Sequence, residues 1–304
     1  MAARRRRRRR FRAFLTLALS VAVVAVGIYG VSRYAGESQI LVREQCTAFI
    51  GSERHTLAPD QAANAALIGA VSVERGLRAR AATIGIATSM QESKLRNIDY
   101  GDEAGPDSRG LFQQRPSQGW GTEEQVMDPL YAANRFYAEL ERFDYSSMRV
   151  TEAAQKVQRS AFPEAYEQHE PTARAFASAL TGHSPASLDC TLRRAEAAGD
   201  AAAVRDQLGE QHSPLLAARA EVDGRRLSIP THASGGLVDS NELTQRTGWS
   251  IAQWAVARAG TENIESVSFG GLIWNRAENR WVQGSTTDGH VIVTVSAAPG
   301  TPTG

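Results

Sequence analysis

The residues that could do chemistry cluster between Thr83 and Thr122. Glu92-Ser93 closes a run of small and apolar residues that includes Ala81, Ala82, Gly85, Ala87 and Ser89. Asp102, Glu103 and Asp107 follow in a Gly/Asp-rich stretch, and then Ser108-Arg109-Gly110-Leu111-Phe112-Gln113-Gln114. A carboxyl at the C-terminal end of a buried helix faces the negative end of the helix dipole and apolar walls. Both raise its pKa. An acid kept protonated near neutrality is what protonation of a glycosidic oxygen requires. The plainer reading of Glu92 is a surface ion pair with Lys94 or Arg96. Among the three loop acids, Asp107 is the candidate base for activating water. A simple turn residue after Pro106 is the competing reading. The spacing of the two carboxyls would separate inverting from retaining chemistry, and sequence does not supply it. Ser93, Ser108, Gln113 and Gln114 are candidates for binding hydroxyl and N-acetyl groups, because hydroxyls and amides bond them without competing for the proton. Gln113 could equally fix the loop to the core. Phe112, Trp120 and Tyr166 could stack on sugar faces or belong to the core.

The small-residue run reads as a helix that neighbours can approach closely, so it is expected at the centre of a helical domain. Ala58-Pro59-Asp60 opens the preceding helix, which runs to about Arg75 and ends at Gly76. Pro129 begins another, carrying Tyr131, Phe136, Tyr137 and Leu140; Thr151 caps a further one, and Pro171 starts the last. The stretch from Asn97 to Thr122 is too long for a mere connector, which favours a functional loop.

Glu92-Ser93, a loop, and then Gly110-Leu111-Phe112-Gln113 resemble the signature of the lysozyme-like superfamily, in particular the soluble lytic transglycosylases and goose-type lysozymes. Asp128-Pro129 with Leu140 looks like the family's next motif, with its usual Asn and Gly displaced. The Tyr-Asn-Gly motif of transglycosylases is absent. In its place Ala153-Ala154-Gln155-Lys156-Val157-Gln158-Arg159-Ser160-Ala161-Phe162-Pro163, with Tyr166 behind, resembles exported actinobacterial and phage-tail members. The resemblance covers Cys46 to Cys190. It implies a peptidoglycan glycosidase with Glu92 as general acid, peptidoglycan glycan strands as partner, and no cofactor. Lytic transglycosylases need no second carboxylate, because the sugar's own substituents take part. The alternative is a non-catalytic wall-binding protein that keeps the groove.

Nine arginines and no acid lie in residues 1–33; removing them leaves 25 Lys and Arg against 33 Asp and Glu, a body of net charge −8. Such a body does not look like a nucleic-acid binder. The basic residues 1–13 precede Phe14 to Val31, eighteen uncharged residues near the lower limit for a membrane span. The expectation is a single-pass signal-anchor over 14–31, with the N-terminus cytoplasmic and the body extracellular. A cleaved signal peptide is the rival. The expected fold class is therefore a mainly α lysozyme-like domain (46–190) after one N-terminal transmembrane helix and a stem (32–45). A helical spacer (191–223), a small α+β C-terminal domain (224–298) and a disordered tail (299–304) follow. Cys46 and Cys190 are the only cysteines. They flank the lysozyme-like stretch, whose relatives often bring their ends together, and a disulfide is expected between them in an oxidising compartment.

In the C-terminal part, Ile251 to Gly260 and Gly270 to Arg276 resemble a module on other exported actinobacterial wall proteins, distantly like the zinc D-Ala-D-Ala peptidase fold. His232, Asp239 and His290 stand where that family's zinc ligands would. Pro230 replaces the usual Ser, and Asp288-Gly289-His290 replaces His-x-His. Those departures lead to the expectation of no metal, and of binding or positioning rather than peptidase activity.

Overall fold

The computed structural model describes residues 14, 18–31, 42–103, 105–159, 164–232 and 241–298. The chain divides into two compact units, 1–43 and 44–304. In the first, residues 18–31 form a helix, α1. Among the described residues no helix is long and apolar enough to cross a membrane. The single-pass anchor and the membrane location drawn from it are therefore withdrawn. The basic run before it lies outside the described residues.

The second unit holds the candidate site. The expected fold class, a transmembrane helix, a mainly α lysozyme-like domain and a small α+β domain, is corrected: the molecule is about 47% helical and 17% strand, and the strands form two antiparallel sheets. The first sheet has the order β2-β1-β3, from Gln45–Ile50 (β1), Glu53–Leu57 (β2) and Leu188–Thr191 (β3). Ile50 faces Glu53 across a two-residue turn at Gly51-Ser52, and Gly51 takes φ +58°, the hairpin geometry that favours glycine. The stretch expected to be lysozyme-like from Cys46 onward thus opens with a hairpin. Its second strand, Glu-Arg-His-Thr-Leu, is exposed at Glu53, Arg54 and Thr56, so it carries no apolar alternation. Cys46 and Cys190 face each other across β1 and β3 and are joined by a disulfide.

Helices α2 (Pro59–Glu74), α3 (Ala79–Ser93), α4 (Glu123–Met127), α5 (Pro129–Leu140), α6 (Val150–Gln158) and α7 (Glu170–Leu180) follow the hairpin. Helix α6 starts one residue before Thr151, which is buried inside its first turn and does not cap it. Helix α3 is buried from Ala81 to Ser89 and packs on α2, α5, α6 and α7. Its small residues permit that crowding: a Cβ on Gly85 would sit 2.7 Å from the Tyr137 hydroxyl and 3.0 Å from Ile68. Tyr137 in turn donates to the Ile68 carbonyl at 3.0 Å, tying α5 to α2 behind α3.

Beyond β3 come α8 (Ala201–Gln211), α9 (Pro214–Arg219) and the six-stranded sheet β4-β5-β9-β6-β7-β8. Its strands are β4 Glu221–Asp223, β5 Arg226–Pro230, β6 Ile264–Phe269, β7 Leu272–Asn275, β8 Arg280–Gln283 and β9 His290–Val295. Helix α10 (Asn241–Ala257) packs on this sheet and also on α2, α7 and β3. Gln253 is fully buried at that seam; its amide donates to Ala179 O (2.8 Å) and Ser184 O (3.0 Å) and accepts from Ser187 N (2.9 Å). Trp281 on β8 donates to Leu188 O on β3 at 2.8 Å. A buried polar side chain satisfied on every side fixes one packing of helices against sheet.

Candidate active site

Helix α3 ends abruptly. Lys94 and Leu95 both adopt left-handed backbone, at φ 55° and 56°. Lys94 N donates to Met90 O and Leu95 N to Ser89 O, which closes the last turn. Two successive non-glycine residues in this region cost about 1–3 kcal/mol each. The surroundings offset it: Leu95 is fully buried, Asn64 donates to its carbonyl at 2.8 Å, and Gln61 donates to Lys94 O at 2.8 Å. The chain therefore turns away immediately after Glu92-Ser93 and leaves Glu92 on a cleft wall.

The loop after α3 is docked back onto it. Ser89 and Ser93 both donate to Leu111 O, at 3.0 and 2.7 Å. Gly110 N donates to Ile98 O, and Asn97 donates to Met127 O. Gly110 sits at φ +78°, where a Cβ would meet Val126 O at 2.1 Å, so only glycine fits. Phe112 is fully buried and stacks on Phe136 with ring centroids 4.7 Å apart. Between α3, this loop and the end of α6 lies a cleft of about 590 Å³. Its walls include Gln91, Glu92, Tyr100, Asp102, Ser108, Gln113, Gln114, Gln118, Trp120 and Gln158.

Glu92 is held from behind. The Tyr166 hydroxyl donates to its Oε1 at 2.7 Å, and Tyr166 is itself fully buried. Gln158 lies against Glu92 and donates to Phe112 O at 2.7 Å. Burial raises the Glu92 pKa; Tyr166 and Gln158 favour the charged form and restrain the rise, and the Asp102 charge adds to it. The result is an acid biased toward its protonated form at the wall of a polar cleft.

Glu92, Ser108, Gln113 and Gln114 come together in the cleft. Gln114 is almost wholly buried and donates to Ala132 O at 3.1 Å, so its amide also braces the loop. The remaining candidates stand elsewhere. The Ser93 hydroxyl is spent on Leu111 and Ser89 carbonyls. Tyr166 and Phe112 have no exposed ring to offer a sugar, and Tyr166 instead positions Glu92. Asp107 is not among the residues lining the cleft. It accepts from Ser117 N at 3.0 Å and pairs with Arg115 at 2.8 Å. Hydrogen bonds from Ser117, with the Arg115 guanidinium beside it, hold its carboxyl well below the usual range. Asp107 thus clasps the loop. Asp102 is the second carboxylate among the described residues of the cleft, with its Oδ1 accepting from Gly105 N at 2.8 Å. Sequence reasoning placed Asp102 in the loop without singling it out, and missed Tyr100, Gln91, Gln118 and Gln158. The recurrence of glutamine from Gln91 to Gln158, five of them on the cleft wall, is the signal that was available.

In the C-terminal part, the Nδ1 of His232 would lie 3.7 Å from a Cβ on Gly289, and the ring of His290 bonds Asp288 O. Asp239 lies outside the described residues. No group of three His, Cys, Asp or Glu that could hold a metal is present among the described residues. No protein-family model matches the chain, and no curated protein matches it.

Proposed function

We propose that this protein is a glycosidase of the peptidoglycan glycan strand, of lysozyme or lytic-transglycosylase type. The reading rests on one observation above the others: a carboxyl at the end of a buried helix, its pKa raised by burial, oriented by a buried tyrosine and opening onto an amide-lined cleft. The resemblance of Glu92-Ser93 and Gly110-Leu111-Phe112-Gln113 to the lysozyme-like superfamily supports the substrate class.

In this reading Glu92 gives its proton to the oxygen between N-acetylmuramic acid and N-acetylglucosamine. The C1–O bond breaks, the glucosamine leaves as an alcohol, and positive charge develops at C1. Tyr166 stabilises the Glu92 carboxylate left behind. Two captures of C1 balance the reaction. The muramic 6-hydroxyl can attack and return its proton to Glu92, which yields an anhydro ring. Alternatively water attacks and gives its proton to Asp102, which yields a reducing end. Asp102 serves here in the role first considered for Asp107, because it faces the cleft and Asp107 is tied to Arg115 and Ser117. The disulfide suits an oxidising compartment such as the one that holds the wall.

The test is Glu92→Gln on purified sacculi. The amide keeps the shape and cannot donate the proton, so release of soluble fragments should fall about 10²-fold or more. Release at the wild-type rate by the folded variant removes Glu92 from the mechanism.

A further inference from the structure

We propose that Tyr100 is a stacking platform for one pyranose ring of the bound strand, forming a subsite on the loop wall of the Glu92 cleft. The proposal rests on the glycosidase reading and adds the residue that grips an uncharged sugar face. Tyr100 is 65% exposed, whereas every other aromatic residue described in the 44–304 unit is buried or half-buried. Among the described residues no ring or cation stacks on it. Trp120, the other aromatic among the described residues of the cleft, has the Arg135 guanidinium over its ring at 5.5 Å.

The backbone that carries Tyr100 is fixed on both sides. Ile98 O accepts from Gly110 N at 2.8 Å. Gly101 packs so tightly on the turn beyond it that a Cβ would sit 1.9 Å from Gly105 O. Asp102 closes that turn through Gly105 N. An exposed ring on a fixed backbone loses little freedom when a ligand covers it. The chemistry of the surroundings selects the ligand. A pyranose presents a face of C–H groups and a rim of hydroxyl and acetamido groups. The phenol takes the face, and the neutral amides of Gln91, Gln113 and Gln118 suit the rim. A nucleobase would also stack, but a body of net charge −8 outside the first 33 residues offers a polyanion no bulk attraction.

The experiment uses the full chain carrying Glu92→Gln, so that the probe is not consumed. Binding of tetra-N-acetylchitotetraose is measured by calorimetry, with Tyr100→Ala, Tyr100→Trp and the remote exposed Leu215→Ala added in turn. Tyr100→Ala should weaken binding roughly three- to tenfold, the scale of one aromatic stacking contact. Tyr100→Trp should hold affinity within about twofold, and Leu215→Ala should leave it unchanged. Binding by the parent that is equal in Tyr100→Ala overturns the platform and leaves the glycosidase reading standing. Absence of binding by the parent at millimolar tetramer overturns the platform and the glycosidase reading together.

Discussion

Reduction of the Cys46–Cys190 bond should be the largest single loss of stability available without touching the core. The bond joins residues 144 apart and spans neighbouring strands of one sheet, β1 before the helices and β3 after them. It therefore closes the whole helical body that carries Glu92. In the chain-entropy model a loop of this length restricts the unfolded chain by about 5 kcal/mol; measured bonds commonly deliver about 2–4 kcal/mol because the reduced chain keeps residual structure. Both sulfur-bearing residues are fully buried, so Cys46→Ala with Cys190→Ala also removes packing. Chemical reduction of the wild type isolates the cross-link. Urea unfolding with and without a phosphine reductant should lower the stability by about 2–5 kcal/mol with the native spectrum retained in buffer. For a unit of this size that is about 5–20 °C in Tm. An unchanged urea midpoint, with both thiols then shown to be alkylatable, would refute the argument that the bond staples the body.

Tyr166→Phe deletes the donor to Glu92 and keeps the buried ring. Because that bond favours the charged form, its loss should raise the Glu92 pKa further and move the alkaline limb of kcat to higher pH, while kcat falls for want of orientation; a pH–rate profile identical to wild type would show that the bond is idle. Burial pushes the Asp189 carboxyl up to about 6, with Arg54 opposing. Its folded pKa exceeds its unfolded value of about 3.9, so the native state binds the extra proton and stability falls as pH rises from about 4 to 6. Since Asp189 is partly exposed, screening reduces the loss to about 1–2 kcal/mol. Asp189→Asn should therefore gain about that much at pH 8 and nothing at pH 4, a pattern read from paired denaturant titrations; an equal effect at both pH values would assign the change to packing.

The local signals in the sequence were those with a mechanism at short range. Pro59, Pro129 and Pro171 each lie in the first turn of a helix, and the small residues of α3 mark the buried one. The paired cysteines marked a bond that the sheet register brings together. What was illegible depended on distant partners. Strand β2 is mostly polar and takes its place from β1, whose other neighbour, β3, is more than a hundred residues away. Strand β8, Arg-Trp-Val-Gln, is only half-buried and has little apolar alternation to betray it. Within the site, Glu92 was legible because its helix and the Gly-Leu-Phe-Gln stretch are local features. The placement of Asp102 on the cleft wall and of Asp107 away from it was not, because it turns on which carboxyl Arg115 and Ser117 capture. Tyr166 offered an aromatic ring in sequence, and only the packing shows that the ring is buried and its hydroxyl bonds Glu92.

Mass spectrometry of purified peptidoglycan digested with the full chain and with Glu92→Gln tests the central claim most directly. The wild type should release disaccharide–peptide fragments cut on the muramic side of the glycosidic bond, ending either in an anhydro ring or in a reducing sugar, and Glu92→Gln should release about 10²-fold less. Peptidoglycan returned intact by a folded wild-type chain, or the same fragments at the same rate from Glu92→Gln, would contradict it.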